Sequence, residues 1–438
     1  MTTTAAYTDP WPAPHPAGPI HARVTLPGSK SVTARYLVLA ALAHGPSRLE
    51  GALLARDTEL MAAGLEALGA SIEVGGTPGR PIVDVTPGPI HGPATVDCGL
   101  AGTVMRFLLP VAALADGPVR FDGDEAARRR PMAGLIDALR GLGVDIEEHG
   151  APGHLPLTVH GRGRLPGGTA TVEAAASSQF LSALLIAAPR AAAPLTVAAR
   201  GPVPSMPHVH MTLDALRDFG ATVTPAPPAP APTPAWTVTG PLHGRHLEAE
   251  PDLSNAGPFL AAALAVGGTV TVPGWPAHTN QPGALLPHYL ERFGARAELT
   301  HGALTVGARP GPFPGADLDL TPAGELAPTL AAVAALAATP SRLTGIGHLR
   351  GHETDRLAAI ETELTRLGGR VRQLPDGLAI DPAPLHAAAV ETYGDHRIAT
   401  FAAVIGLAVP GVRIRDIGTT SKTIPDFPSR WARFVETA

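Results

Sequence analysis

Only two of the 33 basic residues are lysines, Lys30 and Lys422, and the other 31 are arginines. A chain that uses arginine wherever a surface charge suffices has kept the ammonium at these two places. An ammonium is compact, has three rotatable donors and can release a proton, which a guanidinium at working pH cannot. Both lysines stand in polar clusters placed just before or at the start of apolar stretches. One series of such clusters comprises Ser29-Lys30-Ser31, Gly102-Thr103, Ser177-Ser178-Gln179, Ser254-Asn255, Glu325 and Asp395-His396-Arg397. A second comprises Asp57-Thr58-Glu59, Arg128-Arg129-Arg130-Pro131, Ser205-Met206-Pro207, Glu353-Thr354-Asp355-Arg356 and Ser421-Lys422-Thr423. Serine and aspartate at helix starts are ordinary caps. Lysine and arginine there sit unfavourably at the positive end of the helix dipole unless an anion joins them. The pattern therefore points to anion binding, with Glu325 and Glu353 held ionised among the cations.

The elements that position these clusters repeat. Helical segments end at Gly69, Gly143, Gly220, Gly294 and Gly368, spaced 74, 77, 74 and 74 residues apart, and a glycine just past an amphipathic helix is a left-handed cap. In phase with them run six alanine-rich apolar helices, expected at Val32–Leu42, Val104–Ala115, Phe180–Ala188, Phe259–Val266, Leu330–Ala338 and Ile398–Val409. Each repeat reads as strand, helix, strand, helix, strand, strand over about 73 residues, and six repeats fill 438. Helices apolar nearly all round belong in an interior with sheets outside them. The periodicity alone would also suit a binding solenoid without chemistry; the clustering of cations at helix starts argues against that.

The composition narrows the class. A length of 438 suits two domains or one large one, and a net charge of -5 excludes a generic nucleic-acid footprint, which needs a basic excess. The single cysteine, Cys98, excludes an internal disulfide framework, and the 18 histidines form no metal-ligand motif. The first 20 residues lack the basic start and apolar run of a signal peptide, and no stretch is long and apolar enough for a membrane span. A cytoplasmic protein in a reducing compartment is expected, with only residues 225–234 truly proline-rich.

Seven motifs carry a resemblance. Leu26-Pro27-Gly28-Ser29-Lys30-Ser31-Val32-Thr33-Ala34-Arg35, Ala101-Gly102-Thr103-Val104-Met105-Arg106, Arg130-Pro131-Met132, Ser177-Ser178-Gln179-Phe180, Glu353-Thr354-Asp355-Arg356-Leu357, Asp395-His396-Arg397 and Lys422-Thr423-Ile424-Pro425-Asp426-Phe427 occur in that order along the chain. Together they resemble the EPSP synthases, the 3-phosphoshikimate 1-carboxyvinyltransferases, in an actinobacterial-type branch. The resemblance implies an α/β fold, the two-domain inside-out barrel of the enolpyruvyl transferases with three repeats per domain. By analogy one domain spans residues 30–245, and the other joins residues 1–29 to 246–438.

The family moves the enolpyruvyl group of phosphoenolpyruvate onto the 5-hydroxyl of shikimate 3-phosphate and releases phosphate, in the shikimate pathway to aromatic amino acids. The vinyl carbon must gain a proton while the hydroxyl loses one, so two acid/base groups and dense positive charge are needed. The resemblance assigns shikimate 3-phosphate to Lys30, Ser31, Arg35, Ser177, Ser178, Gln179, Ser205, Glu325 and His352. It assigns phosphoenolpyruvate to Lys30, Gly102, Arg130, Gln179, Arg356, Arg397 and Lys422. Catalysis would rest on Glu353 as proton donor to the methylene, Glu325 as acceptor from the 5-hydroxyl, and Lys30. No metal and no organic cofactor are implied. A monomer acting on small anionic substrates is expected, its empty cleft held open by like charges until substrate anions bridge it. Glyphosate, the herbicidal inhibitor of the family, would occupy the phosphoenolpyruvate site, with Gly102 leaving it room.

Several positions depart from the family pattern. Leu100 stands where many members have Asn, Glu325 where Asp is common, His352 where a Lys often precedes the catalytic Glu, His348 where an Asn is usual, and His208 where many have Tyr. The rival family, which acts on UDP-N-acetylglucosamine, opens with Lys-Asn and carries a reactive Cys before its Arg-Pro motif. This chain has Lys30-Ser31 and no Cys in residues 123–130; Cys98 reads as a small buried hydrophobe. A non-catalytic binding protein on the same repeats would be expected to lose the charged residues first, and all of them are present.

Overall fold

The computed structural model describes residues 7–77, 79–226 and 233–437. The first six residues and most of the proline-rich stretch 225–234 lie outside them. The six apolar helices span Lys30–Leu42, Gly102–Ala112, Gln179–Ala187, Gly257–Val266, Ala327–Leu336 and His396–Ala408. Each starts one to three residues before its apolar run, because the preceding polar residues form the first turn. Ser29 Oγ caps the first by accepting from the Val32 amide at 3.4 Å, and Asp395 caps the last by accepting from the Arg397 amide at 2.8 Å. Lys30, Gly102, Gln179 and His396 thus each open a helix. All eleven residues of Gly102–Ala112 are buried, as expected of a helix packed on every side.

The amphipathic helices Arg56–Ala67, Ala133–Gly141, Met206–Asp218, Leu286–Arg292 and Arg356–Arg366 precede the five periodic glycines. All five have φ between 85° and 112°. The Gly69 amide donates to Glu66 O and the Ala70 amide to Leu65 O, a double closure that leaves few helix-end carbonyls unpaired and that a residue bearing a Cβ would strain.

Among the described residues the strands form six sheets. In the second repeat Ala94–Asp97 runs parallel to Asp116–Asp122, which pairs antiparallel with Leu157–Arg162, which pairs with Asp145–Glu148. Four other sheets repeat this order, while the sixth has three strands, Trp11–Pro12, Arg413–Ile414 and Ala389–Val390. Three sheets borrow a strand from distant sequence: His246–Glu248 runs parallel to Ser47–Glu50, Ile20–Arg23 runs parallel to Gly268–Pro273, and Trp11–Pro12 runs antiparallel to Arg413–Ile414.

The chain divides into two compact units. One holds the N-terminal residues up to Leu26 together with Pro251 onward, and the other is Pro27–Glu250. Each has its own apolar core, built around three of the six apolar helices. No helix among the described residues is long and apolar enough to cross a membrane.

Candidate active site

The residues that the sequence singles out fall in both units, where hydrogen bonds and ion pairs join them into small groups. In the unit Pro27–Glu250, Lys30 Nζ lies 3.3 Å from Asp57 Oδ2, and the Asp57 side chain is 3% exposed. Gly102 opens a helix whose N-cap residue, Ala101, offers no side-chain acceptor to the first amides. A Cβ on Gly102 would fall 2.7 Å from Arg130 Nη2, so only glycine lets this guanidinium lie against the helix start. Arg130 Nη1 donates to Leu100 O at 3.1 Å, a backbone bond that does not depend on the side chain at 100. The hydroxyl of Thr103, the residue after Gly102, is buried and has no hydrogen-bond partner among the described residues.

Arg106, one helical turn beyond Gly102, donates from Nη1 to Gln179 Oε1 at 2.8 Å and to Ser177 Oγ at 3.2 Å, and it lies over the Phe180 ring. Ser177 Oγ also accepts from the Gln179 amide at 3.2 Å. Burial, and then the neighbouring Arg130, push the Arg106 guanidinium well below its ordinary pKa. Two cations are thus held close enough for Arg130 to weigh on the charge of Arg106, an environment that an incoming anion would relieve. Ser178 is buried, and Ser205, also buried, precedes the helix Met206–Asp218 in a left-handed conformation at φ 54° without a side-chain bond to the helix start. Such strain persists where the surroundings over-determine it.

Arg35 faces inward. Its Nε donates to Thr212 Oγ1, its Nη1 to Ser31 O and its Nη2 to His208 O, all within 2.8 Å. Burial lowers its pKa to about 9. It braces the backbone of Ser31 and His208 and keeps further hydrogens on both Nη atoms.

In the other unit, Glu353 stands just before the helix Arg356–Arg366 and is the focus of the cations. Its Oε1 accepts from Lys422 Nζ at 2.6 Å and its Oε2 from His396 Nδ1 at 3.2 Å. Burial pushes this carboxyl up, but Lys422, His396 and Arg356 outweigh it and hold the group well below the ordinary carboxylate range. His396 is itself pushed down to about 4 by burial, so near neutral pH its bond to Glu353 is an N–H donation from a neutral ring.

Arg356 makes a buried fork to Asp395, with Nε to Oδ2 at 2.7 Å and Nη2 to Oδ1 at 3.2 Å. Burial opposes its charge, yet Asp395 and Glu353 raise its pKa. His352 Nδ1 faces Arg356 Nη1 at 3.5 Å, and His348 packs on His352 with ring centroids 5.7 Å apart. Glu325 sits in the turn Gly324–Leu326, where its Oε1 accepts from Ser254 Oγ at 3.3 Å. Ser254 O accepts from Arg397 Nη1 at 3.0 Å, and a Cβ on Gly324 would fall 2.8 Å from His348 Nε2. Both carboxylates bear electrostatically on Arg356.

Glu353, Asp395 and His396 bring ligand atoms within 4.8 Å of one another. A divalent cation there would have to displace Lys422 and Arg356, so the donor set suits anion chemistry better than a metal. Cys98 is buried and its thiol is pushed up, chiefly by burial, which fits an inert hydrophobe.

Five partners that stand in the polar clusters or motifs of the sequence receive no substrate or catalytic role there: Asp57, Arg106, Ser254, Asp395 and His396. Arg106 did leave a signal, as a lone cation four residues into an otherwise apolar helix.

The fold defines a class. A solved EPSP synthase from Acinetobacter baumannii superposes with a TM-score of 0.77 at 24% identity, covering 96% of this chain and 97% of that one. The enolpyruvyl transferase NikO from Streptomyces tendae gives a TM-score of 0.76 at 20% identity, covering 96% of each chain. The architecture is therefore that of the enolpyruvyl transferases. Residues 14–431 match the family model of EPSP synthase (3-phosphoshikimate 1-carboxyvinyltransferase). A 3-phosphoshikimate 1-carboxyvinyltransferase from Kocuria rhizophila is 53% identical over 98% of this chain and 97% of its own length. The chain belongs to the EPSP synthase family.

Proposed function

We infer that the chain transfers the enolpyruvyl group of phosphoenolpyruvate to the 5-hydroxyl of shikimate 3-phosphate and releases phosphate, a step toward chorismate and the aromatic amino acids. The observation that carries the mechanism is the Glu353 carboxylate held between Lys422 and the neutral His396. In the empty protein Glu353 is ionised, and a proton donor must be protonated. Anionic substrate supplies the resolution: as phosphate or carboxylate draws Lys422 and Arg356 away, burial takes over and Glu353 gains affinity for a proton. It then delivers that proton to the vinyl methylene while Glu325 accepts one from the 5-hydroxyl. The 5-oxygen bonds to the carbon that bears the phosphate, giving a tetrahedral adduct with a methyl group. Phosphate then leaves as the Glu353 carboxylate takes a proton back from that methyl and the double bond re-forms, while the cations stabilise the charge that develops.

Within Pro27–Glu250, Lys30, Ser31, Arg35, Ser177, Ser178, Gln179 and Ser205 hold shikimate 3-phosphate, Arg35 through the hydrogens its Nη atoms retain. Lys30, Gly102, Arg130 and Gln179 take the anionic groups of phosphoenolpyruvate. In the other unit Arg356, Arg397 and Lys422 bind the same substrate class, since planar guanidinium groups match carboxylate and phosphate oxygens in pairs. His352 and Glu325 contact shikimate 3-phosphate. We assign the protein to the cytoplasm, as a monomer, and expect glyphosate to compete with phosphoenolpyruvate.

The test is phosphate release from phosphoenolpyruvate with shikimate 3-phosphate, and separately with UDP-N-acetylglucosamine, as acceptor. Release with the first alone supports the reading. Release with the second alone would assign the chain to the sister activity, and tight binding of both substrates without release would favour a binding protein.

A further inference from the structure

The segment that delivers Asp395, His396 and Arg397 is held in an unfavourable conformation. Tyr393 has φ 57° and Gly394 has φ 68°. Glycine tolerates this region freely, whereas a bulky residue there is strained and needs to be held. The hold is Glu363, whose side chain is wholly buried. Its Oε1 accepts from the Tyr393 hydroxyl at 2.6 Å, its Oε2 accepts from the Glu391 amide at 3.1 Å, and Arg366 Nε lies 3.2 Å away. Glu363 follows Arg356 by seven residues in one helix, about two turns, so the two share a face. That face therefore grips the same segment twice, through Arg356 on Asp395 and through Glu363 on Tyr393 and Glu391. Thr419, in the turn that carries Lys422, donates to Gly394 O at 2.8 Å and ties a third element to the bend.

We propose that Tyr393 is a positioning residue for the phosphoenolpyruvate-binding groups of this unit, acting through its hydroxyl bond to Glu363. The bond fixes the left-handed turn, and the turn sets where the next three residues stand. Asp395 then aims Arg356, His396 meets Glu353, and Arg397 reaches Ser254. None of the shikimate 3-phosphate ligands proposed in Pro27–Glu250 depends on this turn. A defect should therefore divide between the two substrates, which general destabilisation would not do.

This inference rests on the proposed function, so its test has one readout that needs no turnover. Tyr393→Phe keeps the ring and removes the hydroxyl. In the whole chain the KM for phosphoenolpyruvate should rise about tenfold, as expected when one bond to a charged acceptor is lost, while the KM for shikimate 3-phosphate rises less, because only Glu325 and His352 among its proposed ligands neighbour the moved groups. Glu363→Gln, which keeps one acceptor oxygen, should give a smaller rise in the same direction. Hydrogen exchange at the amides of residues 394–397 should quicken in Tyr393→Phe whether or not the protein turns over. Unchanged exchange together with unchanged KM, or an equal rise in both KM values, would overturn the proposal. Failure of the wild type to release phosphate would instead count against the functional reading, and the exchange result would still decide the role of the turn.

Discussion

Lys422 Nζ stands 2.6 Å from Glu353 Oε1, and neither side chain is as much as a tenth exposed. The pair joins one of only two lysines to the proposed proton donor. A guanidinium is larger, planar and unable to release its proton. Lys422→Arg should therefore lower kcat about a hundredfold, the low end of what a positioned acid/base group contributes. Lys30→Arg, beside Asp57, should do the same, and steady-state rates near wild type in both variants would contradict the role of the ammonium.

Protonation of Glu353 has a definite sign. A carboxyl with a depressed folded pKa stabilises the fold above its unfolded value of about 4.3, and that contribution is lost as pH falls through the folded value. Lys422→Met removes the leading charge that opposes burial, so the depression of the Glu353 carboxyl shrinks, and its acid-labile contribution to stability should be smaller and be exhausted at a higher pH. The substitution should also cost about 3 to 5 kcal/mol near neutrality, as when one partner of a buried pair is removed. Thermal unfolding followed across acidic pH reads both effects. In the wild type, calorimetry in buffers of different ionisation enthalpy should show proton uptake when phosphoenolpyruvate and shikimate 3-phosphate bind.

Gly102 and Arg106 lie on one helix, yet their substitution should affect different substrates. Gly102→Ala drives a methyl against the Arg130 guanidinium and should raise the KM for phosphoenolpyruvate about tenfold, a loss of about 1.4 kcal/mol. Arg106→Gln releases Ser177 and Gln179 and should chiefly raise the KM for shikimate 3-phosphate. Initial rates with each substrate varied in turn distinguish the two.

His352 stands where family members often carry a lysine. A histidine gains or loses its charge between pH 5 and 8, and this one lies against Arg356. The KM for shikimate 3-phosphate should therefore vary more steeply with pH than in His352→Lys, and superimposable profiles would remove the effect.

The repeat was legible because its glycines do a backbone job that other residues do badly: Gly69, Gly143, Gly220, Gly294 and Gly368 all sit at positive φ. The apolar helices were legible too, within one to three residues at their starts, since a polar first turn carries no hydrophobic signal. Partners were harder to read. Asp57 and Lys30 are 27 residues apart, and His396 and Glu353 are 43 apart, so only the packing of helices brings them together. The inward turn of Arg35 depends on His208 O and Thr212, more than 170 residues away. The swapped strands Ile20–Arg23 and His246–Glu248 have no local signature, because parallel pairing over such separations is set by the assembled core.

The most direct test of Glu353 as proton donor is turnover in deuterated water. With phosphoenolpyruvate and shikimate 3-phosphate, the wild type should place deuterium in the product methylene as it releases phosphate. Glu353→Gln should still bind shikimate 3-phosphate, yet lose both signals by about a hundredfold or more. Deuterium incorporation and phosphate release at wild-type rates in Glu353→Gln would contradict the mechanism.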